Sequence, residues 1–210
     1  MCALTDRAPR AGRRSTTTRH DQTSRERRTT DARVPVHDLD SAPKASRDLL
    51  AALRERYGKV LNIYGEMAHA PVVLAAYSGI QSAIAEHGGF DPRTREAIAL
   101  AVANADDCGY CQAAHTAGGR RAGLSLEETI AARFGQPIEP KLDALLAVAR
   151  QAVSRVGEVD EATWQHALKV GWTVEELAGL FAYLIANMFT NYFNHYVGTE
   201  LDFPPAPDQA

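Results

Sequence analysis

Cys108, Cys111 and His115 stand at i, i+3 and i+7 along one segment of this chain. In a helix that spacing brings all three side chains to one face over two turns. Two thiols three residues apart at a helix start can close a disulfide with little backbone movement, and the amides of the first turn stabilise whichever sulfur ionises. His115 lies four residues beyond Cys111, in reach of its proton directly or through a water. Glu96, from the preceding segment, supplies a carboxylate to orient the imidazole or relay that proton. A thiolate in such a set attacks a peroxide oxygen to give a sulfenic acid. The neighbouring thiol then condenses with it to a disulfide, which protects the centre from irreversible oxidation. A helix N-terminus favours the thiolate at Cys108 and the i+4 histidine favours it at Cys111, and the sequence leaves that choice open.

A C-x-x-C is also half of a zinc site, which needs two further ligands. His115 can be one, but the chain has no second C-x-x-C and no H-x-x-x-H, so the fourth must be an isolated histidine such as His69, His166 or His195. Spacing therefore favours redox chemistry, with no metal and no cofactor expected. Asn187, Asn191 and Asn194 form a polar stripe at helical spacing, read as amides that tie helices or subunits together. His195 is read as a cap or surface residue, and Gly118 and Gly119 as positions where another helix or subunit approaches closely. Trp164 and Trp172 are read as core or interface anchors, and Cys2 as incidental.

The elements that carry these residues are helical. Alanine and leucine are frequent, aromatics make up only 7%, and β-branched runs are few, which favours helix over sheet. Helices are expected over 45–56 and 72–86, with a connection over 62–71 between them. A third starts at Asp91-Pro92, carries Glu96 and breaks at 104–107, where short polar side chains suit a new N-cap. The fourth opens with the cysteines and closes at Gly123. Ser125 to Glu128 and Thr173 to Glu176 are capping boxes that open a short helix and the last one. Between those two, helices run over 141–156 and 160–170. The expected fold is an all-α, single-domain helical bundle of about eight helices.

At 210 residues and 45% hydrophobic, the chain can bury one good core. Residues 1–36 hold nine Arg against four acids and almost no large apolar residue. This basic tail is expected to be disordered, with the helical domain spanning 37–210. Of the total charge of −3, residues 37–210 therefore carry −8. An acidic body argues against nucleic-acid binding. The cysteine count is not a disulfide framework, and no charged start leads into an apolar run, so a cytoplasmic protein is expected. The stretch from Leu177 to Phe193 has no charged residue but holds three polar side chains (Asn187, Thr190 and Asn191), so it reads as a buried or interface helix rather than a membrane span.

Arg95 to Leu100, Cys108-Gly109-Tyr110-Cys111, His115 and Ala122 to Ser125 together resemble the alkylhydroperoxidase AhpD-like family of the carboxymuconolactone decarboxylase superfamily. Asn187 to Asn194 and Leu201 to Pro204 extend the likeness over roughly residues 36–205. The resemblance implies a homo-oligomeric helical enzyme that reduces organic hydroperoxides or hydrogen peroxide. It also implies that Cys111 attacks and Cys108 resolves, with recycling by an external dithiol donor, a lipoylated or thioredoxin-like protein. Tyr110 departs from the family, whose best-characterised members carry a histidine there. A phenol is a poor base at neutral pH, so Tyr110 is left an auxiliary role and the relay falls to Glu96 and His115. A decarboxylase-like lyase would leave both cysteines without a task, and a non-enzymatic zinc or redox-sensing module is the remaining alternative.

Overall fold

The computed structural model describes residues 32–209. Among them are nine α-helices, one 3-10 turn (Lys44–Ser46) and no strand. The helices are α1 (Arg47–Tyr57), α2 (Asn62–Met67), α3 (Pro71–His87), α4 (Pro92–Ala105), α5 (Gly109–Arg121), α6 (Leu126–Phe134), α7 (Pro140–Ser154), α8 (Glu161–Lys169) and α9 (Val174–Val197). The expected tail falls largely outside the described residues. Its last part, however, is tied to the body, with the Arg33 amide donating to Val197 O at 2.6 Å and His69 Nε2 lying 2.7 Å from Pro35 O.

Local chemistry sets the ends of these helices. Asp91 caps α4 by accepting from the Thr94 amide at 3.0 Å, and Pro92 follows in the first turn, where no amide is needed. Ser125 and Thr173 open α6 and α9, and both capping boxes are closed. The helix count corrects the expected eight to nine, because 62–67 folds as α2 rather than as a connection. Its six residues are too few to show a helical period, and all but the first are buried by tertiary contacts.

Helix α4 is the axle of the bundle. Ala97 to Ala103 are buried without a break, so the helix meets neighbours on every side, and α5, α6, α7 and α9 all pack on it. One core surrounds α4, α7 and α9. A second gathers residues of α1, α2 and α3 with Cys108, Cys111, Tyr110 and Phe189. The thiols thus lie in the second core, at the junction of α5 with α9. No helix among the described residues is long and apolar enough to cross a membrane. The uncharged stretch of α9 buries Leu177, Leu180 and Leu184 and exposes Phe181, Ile185 and Tyr192.

Candidate functional site

The turn between α4 and α5 delivers the cysteines. α4 runs on through Ala105, past the break expected at Asn104. Asp107 then takes a left-handed conformation (φ 51°) that reverses the chain, a region in which short polar residues are the least strained after glycine. The Cys108 amide donates back to Ala103 O at 2.9 Å, and Cys108 itself is the N-cap of α5. None of the polar residues at 104–107 takes that place.

Both sulfurs are buried and reduced. The Asn194 amide nitrogen lies 3.2 Å from Cys111 Sγ and 3.7 Å from Cys108 Sγ, and Thr190 Oγ1 lies 3.8 Å from Cys111 Sγ. Cys108 is brought down to about 6. The Cys111 thiol donating to it is the main cause, and the Cys111 backbone amide and Asn194 add to it against the cost of burial. Cys111 moves the other way, far up, because it holds that shared proton and is itself buried. Within the pair Cys108 is thus the more readily ionised thiol and Cys111 the one that keeps its proton.

A cavity of about 540 Å³ opens against this pair. Cys111, Tyr110, His115 and Glu96 line it, and Cys108 does not. His115 Nδ1 lies 2.9 Å from Glu96 Oε2, with each side chain about a quarter exposed. An ionised carboxylate can only accept, so Nδ1 carries the hydrogen and Nε2 is left to take a proton from the cavity. The four residues read from spacing are thus brought together, three of them on the cavity wall.

The structure adds two residues to the set. Asn194, left among the structural amides on sequence, touches both sulfurs, whereas Asn191 is the tie it was expected to be, donating to Asp106 Oδ2 at 2.8 Å. Gly118, read as a packing position, makes room for Glu96: a Cβ there would sit 2.6 Å from Oε2. Gly119 does serve packing, against Leu124 and Thr129. His195 caps the end of α4 through Asp106 O at 2.8 Å. Trp164 and Trp172 both pack against the larger core.

Tyr110 is not free to relay protons. Its hydroxyl donates to Asp202 Oδ2 at 2.6 Å, and burial and that carboxylate raise it far above the usual phenol range. Asp202 also accepts from the Asn62 amide at 2.7 Å and pairs with Lys59 at 3.2 Å. Through it the segment after α9 is fastened over the cavity, with Phe203 forming part of the wall. Among the described residues no group of three or more His, Cys, Asp or Glu is arranged to hold a metal ion.

The carboxymuconolactone decarboxylase family model matches residues 71–136, which span α3 to α6 and contain Glu96, both cysteines and His115. An uncharacterised protein of the cox locus of Paracoccus denitrificans is 31% identical over 87 residues, 41% of this chain and 78% of that protein. The fold is similar to an uncharacterised peroxidase-related protein with an alkylhydroperoxidase AhpD core from Ralstonia eutropha (TM-score 0.73, 24% identity, 81% of this chain and 92% of that one). It is also similar to the debrominase Bmp8 in complex with 2,3,4-tribromopyrrole (TM-score 0.69, 17% identity, 82% of this chain and 94% of that one).

Proposed function

The chain belongs to the carboxymuconolactone decarboxylase superfamily as an AhpD-like member, and from its thiol pair we propose that it is a dithiol peroxidase reducing organic hydroperoxides or hydrogen peroxide. The observation that carries this reading is that Cys111 shares one cavity lining with the Glu96–His115 pair, while Cys108, buried beside it, is outside that lining.

Access and acidity divide the roles. Cys111 meets the substrate, so its sulfur attacks the terminal peroxide oxygen. The S–O bond forms as the O–O bond breaks. The thiol proton reaches the leaving alkoxide by way of His115 Nε2, with Glu96 holding the imidazolium, and alcohol departs. Cys108, the more readily ionised of the two, then attacks Cys111 Sγ. The S–S bond forms, hydroxide leaves and takes a proton as water, and two electrons have passed from the thiols to the peroxide. An external dithiol donor, lipoylated or thioredoxin-like, restores the pair. The exposed Phe181, Ile185 and Tyr192 of α9 would meet a second copy in a homo-oligomer.

The test is free-thiol titration before and after one equivalent of cumene hydroperoxide, beside Cys108→Ser and Cys111→Ser. Rapid loss of two thiols with stoichiometric alcohol, abolished by Cys111→Ser, supports the mechanism. Loss no faster than for a free thiol overturns it.

A second reading is supported by the aromatic wall of the cavity (Tyr57, Tyr64, Tyr77, Phe203) and the likeness to a debrominase. The same dithiol would deliver two electrons to a carbon–halogen bond, giving C–H, halide and disulfide. Halide release from a bromopyrrole with no reaction toward peroxide would put it first.

A further inference from the structure

The charged residues at the cavity run against the rest of the body. Residues 37–210 carry −8, yet Arg56, Lys59 and Arg121 line this cavity and Glu96, already bound to His115, is the acidic residue among its lining. Lys59 is paired with Asp202 at 3.2 Å. Arg56 and Arg121 have no carboxylate within ion-pairing distance among the described residues. Arg121 is not needed to close its helix, because Arg120 donates to Leu124 O at 3.0 Å in that place. Arg56 lies with its guanidinium 5.5 Å from the Tyr57 ring centre, and its charge is felt at the buried Tyr77 hydroxyl, so it faces the aromatic wall.

The same cavity carries a large apolar and aromatic lining, Tyr57, Leu61, Ile63, Tyr64, Tyr77 and Phe203. Its hydroxyls are already engaged with one another, Tyr64 with Tyr57 at 3.3 Å and with Tyr77 at 3.1 Å. A ligand that fits is therefore largely apolar, with one group that reacts at Cys111 and one anionic group for the unpaired cations. The geometry points to a carboxylate-bearing aryl or alkyl hydroperoxide as the substrate class, its carboxylate received by Arg56 and Arg121 while its peroxide group reaches Cys111. A guanidinium matches a carboxylate with two parallel N–H donors, and the volume of about 540 Å³ suits a ligand of one ring or a short chain. This assignment rests on the peroxidase reading for its chemistry, but not for the anion site.

The experiment compares kcat/KM for cumene hydroperoxide and its para-carboxylate analogue in the full chain, in Arg56→Gln, in Arg121→Gln and in the double variant. Binding of unreactive 4-isopropylbenzoate to Cys111→Ser is measured alongside. The expected result is a preference of about tenfold for the carboxylate, seated in KM, weakened by salt and falling toward one in the double variant. Equal efficiency for both peroxides, with 4-isopropylbenzoate failing to bind, overturns the anion site and leaves the peroxidase intact. Binding of 4-isopropylbenzoate that depends on both arginines, in a protein that reduces neither peroxide, supports the anion site and overturns the peroxidase reading.

Discussion

The Glu96 carboxylate occupies the space that a side chain at Gly118 would fill: a Cβ built there lies 2.6 Å from Oε2 and 2.8 Å from Oε1. Gly118 sits inside α5, where alanine is ordinarily favoured by about 0.5–1 kcal/mol. Gly118→Ala should therefore leave thermal stability near or above that of the parent. It should displace the carboxylate from His115 and lower peroxide turnover by roughly 10- to 100-fold, the scale expected for a misplacement near 1 Å. Melting temperature and single-turnover thiol oxidation, measured on the same preparation, check this. Turnover equal to the parent would remove Glu96 from the relay.

That glycine also marks where the sequence stops being legible. Periodicity and capping chemistry give eight of the nine helices to within a few residues, and spacing alone groups Cys108, Cys111 and His115. Gly118 reads as packing because the neighbour it makes room for comes from α4, at a separation in sequence no local pattern encodes. Asn194 is hidden for the same reason: as one of three amides on a stripe, it is separated from Asn191 only by the partner each meets, the cysteines for Asn194 and Asp106 at the end of α4 for Asn191. α2 is too short to announce itself. Tyr110 shows as a departure from its family, but its partner Asp202 lies 92 residues away.

Asn194 should tune the thiolate. Its amide donates toward both sulfurs and is itself buried. A hydrogen bond to a charged group contributes about 1.5–3 kcal/mol, and sulfur as a long-distance acceptor belongs at the low end. Asn194→Ala should raise the Cys108 pKa by about one unit, read from the ultraviolet absorbance of the thiolate against pH. An unmoved titration would show that Cys111 alone sets the acidity of Cys108.

The pair also sets a pH dependence whose sign can be worked out. Cys108 is lowered from 9.0 to about 6 on folding. Its contribution to stability is present above the unfolded value and is lost as pH falls from there through about 6. Cys111 is raised, so its contribution fades as pH climbs above its unfolded value. The melting temperature of the reduced protein, relative to Cys108→Ser, should therefore rise from about pH 6 toward 9 and turn down beyond it. The ultraviolet absorbance of the Cys108 thiolate should titrate with a midpoint near 6. A flat difference curve would contradict the shared-proton arrangement.

Tyr110→Phe separates anchoring from catalysis. It deletes the donor to Asp202, whose side chain is only 7% exposed and keeps the Asn62 amide and Lys59. The expected cost is about 1–2 kcal/mol of stability, with earlier proteolytic cleavage in the segment after α9. Because that hydroxyl is already committed as a hydrogen-bond donor to Asp202, the pH profile of thiol oxidation should keep its shape. A profile that loses a limb in Tyr110→Phe would return the phenol to the proton relay.

Glu66 holds the same segment from the other end of α2 and should make its grip depend on acidity. It is 2% exposed, accepts from the Thr199 hydroxyl through Oε2, and leaves Oε1 buried without a partner. Burial is the main reason its pKa lies above the ordinary 4.5, and the nearby Asp202 and Glu200 add to the rise. A carboxyl whose folded pKa is raised contributes stability that is complete below the unfolded value and is lost as pH climbs through the folded one. Ionising Glu66 thus puts charge on a carboxylate whose Oε1 is buried without a hydrogen-bond donor. Glu66→Gln keeps the acceptor for Thr199 and cannot ionise. The variant should melt above the parent at about pH 8 and converge with it near pH 4.5. Amide exchange over residues 199–203 should slow in step with the gain. A variant that melts below the parent at every pH would mean that the ionised carboxylate is itself what holds Thr199.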